Sequence, residues 1–307
     1  MSRLRLGTRS SALARWQAQW VADQLTAGGI QVELVPIATR GDASERTKID
    51  ELGSPGVFTK ELERALLANQ IDLAVHSLKD LPTDAVEGLE LAAVPHRESA
   101  LDVLLSRDGL TLAQLPVGAS IGTGSARRRA QLLHVRPDLD MQDIRGNVDT
   151  RLRKLTDGEF DAIVLAHAGL KRLKLDEQIT EYLQPDVMLP AVGQGALAIE
   201  IRSADAATRA AVETLDYPAS RRAVLAERAL LAALGGGCLA PVGAWARLQA
   251  DGRLRLDAAV LSLDGKRRIA ASDHAAVEDC LRLGNDVADQ LKGQGALELI
   301  AQSRIAD

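Results

Sequence analysis

Aromatic residues make up only 2% of this 307-residue chain. That leaves too few rings for stacking platforms on single-stranded nucleic acid. Cysteine is nearly absent. The two thiols, Cys238 and Cys280, have no paired spacing and give neither a disulfide framework nor a zinc site, so no bound metal is expected. Free thiols fit a reducing compartment. No apolar run reaches the length of a membrane span. Met1-Ser2-Arg3-Leu4-Arg5-Leu6 enters a strand without a signal-peptide core. A cytoplasmic protein without a membrane partner is therefore expected. An excess of positive charge is missing too: the net charge is -5, against general binding to a phosphate backbone. No nucleic-acid partner is expected.

What the chain does have is length and clustered arginine. At 307 residues it exceeds the usual single core, so two or three domains are expected. Its N-terminal two-thirds alternates strands and helices. Strands are predicted at Leu4–Leu6, Gln31–Ala38, Asp72–Ser77, Leu91–Pro95, Leu101–Ser106, Ala119–Ile121, Asp143–Arg145 and Ala162–Ala166. Helices are predicted near Ser11–Leu25, Phe58–Asn69, 125–135 and 148–156. Such alternation predicts α/β domains with mainly parallel sheets. Residues 40–56, rich in Gly, Asp, Ser and Pro, read as a surface loop.

An internal echo points to two related lobes. Leu6-Gly7-Thr8-Arg9-Ser10 and Ile121-Gly122-Thr123-Gly124-Ser125 both read as strand, turn, helix. Asp72-Leu73-Ala74-Val75 and Asp161-Ala162-Ile163-Val164 both open a buried strand. The last third differs. A helix over 219–234 is followed by strands at Val242–Gln249, Arg253–Leu263 and Lys266–Ala271, joined by Asp251-Gly252 and Asp264-Gly265, a strong hairpin signal. Helices near 276–292 and 295–304 close the chain.

Six segments carry chemistry. Gly7-Thr8-Arg9-Ser10-Ser11 and Gly122-Thr123-Gly124-Ser125-Ala126-Arg127-Arg128-Arg129 each place hydroxyls and backbone N–H groups at a helix start, where an anion is favoured. Three arginines at a helix start oppose the dipole, so a compensating anion is expected. Arg145-Gly146-Asn147-Val148-Asp149-Thr150-Arg151 offers Asn147 or Asp149 as a cap. Gly169-Leu170-Lys171-Arg172 follows another strand. In a doubly wound sheet the loops at the carboxyl ends of strands line the ligand crevice, and all four clusters occupy such loops. The fifth, His76-Ser77-Leu78-Lys79-Asp80-Leu81-Pro82, adds the one acid, Asp80, able to move protons or stabilise a cation. Lys79 and Asp80 also read as a structural pair, and His76 as a core histidine. Finally, Gly235-Gly236-Gly237-Cys238 ends a helix. Its cysteine is either an exposed nucleophile or a small apolar residue behind a helix cap.

Val75-His76-Ser77-Leu78-Lys79-Asp80-Leu81-Pro82, Gly122-Thr123-Gly124-Ser125-Ala126-Arg127-Arg128, Arg145 to Arg151, Leu189-Pro190-Ala191-Val192-Gly193-Gln194-Gly195-Ala196 and Gly236-Gly237-Cys238 closely resemble the porphobilinogen deaminase (hydroxymethylbilane synthase) family, in order along the chain. The resemblance implies an α/β fold of two type II periplasmic-binding-protein-like lobes plus a C-terminal α+β domain with a small antiparallel sheet. The implied boundaries are 1–95 with 196–215, then 100–190, then 218–307. It implies a cytoplasmic monomer of tetrapyrrole biosynthesis, acting on porphobilinogen. Four porphobilinogens would be joined head to tail with loss of ammonia, and the linear hydroxymethylbilane released by hydrolysis.

The resemblance also implies a dipyrromethane cofactor attached to Cys238 through a thioether. Lys79, Asp80, Thr123, Ser125, Arg127, Arg128 and Arg145 would hold that cofactor. Arg9, Ser11, Ser77, Arg151, Arg172 and Gln194 would bind substrate, and Asp80 would be catalytic. On this view Arg127, Arg128, Arg145 and Arg151 act on bound carboxylates rather than on folding. This chain departs from the pattern at Pro55, where lysine is usual, and at Gly124, Leu239 and His167. A bilobal receptor for a small carboxylate or oxyanion is the alternative. It would need neither Cys238 nor a third domain. A cysteine hydrolase would need a histidine paired with Cys238, and none of the five histidines stands in such a motif.

Overall fold

The computed structural model describes residues 3–38, 59–236 and 240–305. Strands are numbered β1 to β13 and α-helices α1 to α9 along the chain, α6 being Ala206–Val212. Two compact units are present, Met1–Glu98 with Ala196–Arg221, and Ser99–Gly195 with Arg222–Asp307.

The first unit is built on β1 (Leu4–Thr8), β2 (Val32–Pro36), β3 (Leu73–Ser77), β4 (Leu89–Ala93) and β10 (Leu197–Arg202), in the order β2-β1-β3-β10-β4. β1 runs parallel to β2 and β3. β10 runs antiparallel to β3 and β4. Helix α1 (Ala12–Ala27) buries Ala18, Val21, Ala22 and Leu25, an i, i+3, i+4, i+7 stripe. It packs on Leu73, Val75 and Leu197. Helix α2 (Lys60–Leu67) lays Leu62, Ala65 and Leu66 on Ala74 and Leu89. Since side chains alternate along a strand, α1 and α2 cover opposite faces of the sheet.

The second unit repeats that plan. β5 (Asp102–Ser106), β6 (Ser120–Gly122), β7 (Asp140–Gln142), β8 (Ala162–Ala166) and β9 (Glu181–Leu183) stand in the order β7-β6-β8-β5-β9. β6 is parallel to β7 and β8, and β5 antiparallel to β8 and β9. Helices α3 (Ala126–Val135), α4 (Val148–Thr156) and α5 (His167–Arg172) belong to it. The internal echo therefore marks equivalent places, the ends of β1 and β6 and the starts of β3 and β8. The sheets are mixed rather than mainly parallel, because one strand in each runs against its neighbours.

The same unit carries the α+β part. β11 (Val242–Leu248), β12 (Leu254–Leu261) and β13 (Arg268–Ala275) form an antiparallel sheet. It shares a core with α7 (Pro218–Ala233), α8 (Cys280–Gly293) and α9 (Ala296–Ile305) through Ala226, Leu230, Val260, Leu283 and Leu299. The hairpin glycines Gly252 and Gly265 take φ of 80° and 72°, which glycine adopts without strain.

Two readings of the elements shift. The strand expected at Asp143–Arg145 lies at Asp140–Gln142, and Ile144 leaves it to fill the core beside Phe160. Three residues with one buried side chain are too short to show an alternation. β10 is hidden in the sequence because Glu200 interrupts its apolar run. Glu200 is buried and bound to His76.

Candidate active site

The first unit brings four of the expected residues to one place. Arg9, Ser11, Ser77 and Asp80 line a cavity of about 70 Å³, together with Gln17 and His76. The local sequence explains the arrangement. Ser11 caps α1, its hydroxyl accepting from Ala14 N at 3.3 Å, so Arg9 is held at the helix entrance. β3 ends at Ser77, and a 3₁₀ turn over Leu78–Asp80 follows at once. That turn is anchored by Leu78 N donating to Ala196 O at 3.0 Å. Lys79 and Asp80 ride on it, both half-buried. Lys79 is not on the cavity wall.

The residue missed by sequence is Gln17. Its Nε2 donates to Ser77 Oγ at 2.9 Å, which fixes the serine at the strand end. The signal was a polar side chain at a buried position of α1.

In the second unit the expected residues divide into two environments. Thr123 is fully buried at the end of β6, and its hydroxyl accepts from Ser125 N at 3.2 Å. Ser125 takes the N-cap position of α3 without a capping bond from its own hydroxyl. The arginines behind it turn inward. Arg127 Nη1 donates to Asp102 Oδ2 and to Leu189 O, both at 2.7 Å. Arg128 donates to Asp102 Oδ1 from Nε at 3.0 Å and from Nη2 at 2.7 Å, and from Nη1 to Val164 O at 2.8 Å. Asp102 has no exposed surface. Gln194 joins it, Nε2 donating to Asp102 Oδ1 at 3.0 Å and to Ala100 O at 2.7 Å.

This corrects one expectation. An anion that balances the helix-start arginines lies inside the chain, and it is Asp102. Arg127 and Arg128 are buried structural charges as well as candidate ligand contacts. Burial pulls the Arg127 guanidinium below its ordinary range and Arg128 pulls the same way, while Asp102 opposes both. Arg127 Nε stays buried with no hydrogen-bond partner among the described residues.

Arg145 differs. It is exposed and makes no ion pair or hydrogen bond among the described residues. Asn147, not Asp149, caps α4, accepting from Thr150 N at 3.0 Å. Arg151 Nε donates to Gly146 O at 2.9 Å. Arg172 is buried and donates to Gly195 O at 2.7 Å. His167 sets Nε2 3.1 Å from Asp176 Oδ1 and packs edge-on against Tyr182. Cys238, Pro55 and the 40–56 loop lie outside the described residues. Cys280 is buried in the apolar core of the α+β part.

A large anionic group fits these residues. Arg127 Nε is an orphaned buried donor, the Ser125 hydroxyl is not used in capping, and Arg145 is exposed. Each of the two α/β lobes carries hydroxyls and arginines at a helix start, groups suited to anions. One lobe adds a carboxylate, and an α+β domain is attached.

The particular family follows. The family model described as porphobilinogen deaminase, dipyromethane cofactor binding domain, matches residues 4–210, and the C-terminal domain model of the same enzyme matches 221–293. A porphobilinogen deaminase of Geobacter sulfurreducens is 47% identical over 304 residues, 98% of this chain and 95% of that protein. One of Desulforudis audaxviator is 50% identical over 301 residues, 97% of each. Among solved structures, the methionine binding protein MetQ covers 69% of this chain and 89% of its own at 12% identity and TM-score 0.45. The chain belongs to the porphobilinogen deaminase family.

Proposed function

We propose that this protein is a hydroxymethylbilane synthase. It joins four molecules of porphobilinogen head to tail, releases ammonia at each addition and hydrolyses off the linear tetrapyrrole. The observation that carries the reading is the cavity where the carboxylate of Asp80 stands with Arg9, Ser11 and Ser77. Porphobilinogen carries acetate and propionate groups beside a pyrrole N–H and an aminomethyl group. Arg9, with Ser11 and Ser77, suits the carboxylates. Asp80 suits the pyrrole N–H and the cation that forms as ammonia leaves, a charge a fixed carboxylate stabilises.

A dipyrromethane on Cys238 supplies the free pyrrole carbon to which units are added. Thr123, Ser125, Arg127, Arg128, Arg145, Lys79 and Asp80 would hold it, with Arg151, Arg172 and Gln194 toward the incoming substrate. The Asp102 carboxylate holds two of those arginines in place before any ligand arrives. The division into 1–95 with 196–215, 100–190 and 218–307 is the functional one on this reading, and the enzyme works as a cytoplasmic monomer. Intact mass tests it. The purified protein should exceed its sequence mass by two pyrrole units, and Cys238→Ala should remove the excess while Cys280→Ala leaves it. An active protein of unmodified mass would refute the assignment.

A further inference from the structure

His76 and Glu200 form a buried acid–base pair that the mechanism above does not use. His76 Nε2 lies 3.1 Å from Glu200 Oε2, and both residues are 5% exposed. Ala198 pairs with His76, and Glu200 with Ala74. Strand alternation therefore aims His76, Ala74 and Glu200 at the same face. Helix α2 covers that face through Leu62, Ala65 and Leu66 on Ala74.

The helix brings further acid. Glu63 Oε1 and Glu61 Oε2 are buried without hydrogen-bond partners among the described residues. The cations of neighbouring elements are committed elsewhere. Arg202 of β10 binds Asp72 and Asp205, and Arg5 of β1 binds Asp72. Lys60 and Arg64 of α2 are exposed. Glu90 of β4 binds Arg209.

A buried carboxylate needs a compensating proton or cation. Among the described residues, His76 is the hydrogen-bond partner of Glu200. A proton taken up by the pair would compensate that carboxylate, and the pair stands beside the chemistry, because His76 lines the cavity that contains Asp80 and Arg9.

We propose that the His76–Glu200 pair is the proton-holding group of this site, taking up the proton that each condensation frees from a pyrrole carbon while Asp80 stays ionised. The proposal rests on the deaminase reading and assigns the proton its path. The aminomethyl group enters as an ammonium and leaves as ammonia, taking the C–N electron pair. The new C–C bond uses a pair from the attacking pyrrole. The C–H bond at that carbon then breaks, its pair restores the ring, and the proton passes to His76. Handed on to ammonia, the proton leaves as ammonium, and the pair is back in its starting state. Glu200 acts as the positioning residue, orienting the ring and stabilising its charged form.

The test pairs an NMR titration of the His76 imidazole with the pH profile of single-turnover pyrrole addition. An unprotonated ring is the acceptor, so the rate should fall on acidification. A carboxylate beside the ring stabilises its charged form, so Glu200→Gln should move the acid limb of the rate profile to lower pH. His76→Gln keeps an N–H donor for Glu200 and cannot hold the proton. It should slow addition by about 10²-fold, with the two-pyrrole mass retained.

Wild-type rates in His76→Gln, or an unmoved acid limb in Glu200→Gln, overturn the proposal. Should both variants unfold, the wild-type ring decides. A titration midpoint that coincides with the acid limb supports the pair, and a ring that does not titrate between roughly pH 5 and 8 overturns it. If the wild-type protein carries no pyrroles, the deaminase reading fails instead, and the imidazole titration still reports on the pair.

Discussion

The arginines that look alike in sequence are different residues once folded. Arg128 and Arg127 share the fully buried Asp102. Removing one member of such a pair leaves an uncompensated buried charge, at a cost of about 3–5 kcal/mol. Asp102→Ala and Arg128→Leu should lose stability on that scale in urea denaturation as well as cofactor loading. Arg145→Leu, at an exposed position, should change stability by no more than about 0.5 kcal/mol while still lowering the two-pyrrole loading read by mass. Equal stability losses at Arg128 and Arg145 would contradict this division. Asp80→Asn keeps the size of the side chain and removes its charge. It should slow single-turnover pyrrole addition by at least about 10²-fold with an unchanged melting temperature. The sequence showed which residue types gather at helix starts, because glycine, hydroxyl and arginine strings are local. It could not show that Asp102, 25 residues before Arg127, reaches back to neutralise it, since that contact depends on the register of β5 against β8.

At the scale of elements, local signals were reliable where a segment's structure follows from its own residues. The Asp-Gly turns predicted both hairpins of the three-stranded sheet because glycine alone relaxes at their positive φ. The second of these turns has a further role. Gly265 has no side chain, yet its carbonyl oxygen accepts from His134 Nδ1 at 2.8 Å, at the end of α3. A Cβ on Gly265 would come within 2.5 Å of His134 N and 2.8 Å of Ala130 O. The hairpin therefore docks backbone to backbone on the helix that carries Arg127 and Arg128. Gly265→Ala combines that clash with an unfavourable φ of 72°, and overpacking of this kind costs about 1–3 kcal/mol. Its melting temperature should fall, whereas Gly252→Ala, whose Cβ would meet nothing within 4 Å, should show only the backbone penalty. Elements defined by distant partners were the ones misread: β7 has one buried side chain, and β10 is held in its sheet around a buried glutamate.

Across the molecule, each lobe fastens its central strands with the same device. Asp72 stands one residue before β3 and accepts from Arg5 N of β1 at 2.9 Å. Asp161 stands one residue before β8 and accepts from Ser120 N of β6 at 2.8 Å and from Ser120 Oγ at 2.9 Å. Burial alone would raise the Asp72 carboxyl, but hydrogen bonds from Arg5 and Arg202 outweigh it, and the group lies below the usual carboxylate range. The Asp161 carboxyl is lowered first by the backbone and hydroxyl donors of Ser120, with burial opposing and Arg107 adding to the lowering. A carboxyl whose folded pKa lies below its unfolded value of about 3.9 contributes stability that is fully present above that value and lost as pH falls through the folded one. Both lobes should therefore weaken below about pH 4. Asp161→Asn removes the titrating group while keeping an acceptor for Ser120. In urea midpoints taken from pH 5 down to pH 2.5, this variant should start lower than the wild-type protein and lose less on acidification. Parallel losses in the two proteins would mean that Asp161 contributes nothing to acid sensitivity, and that other carboxylates carry it.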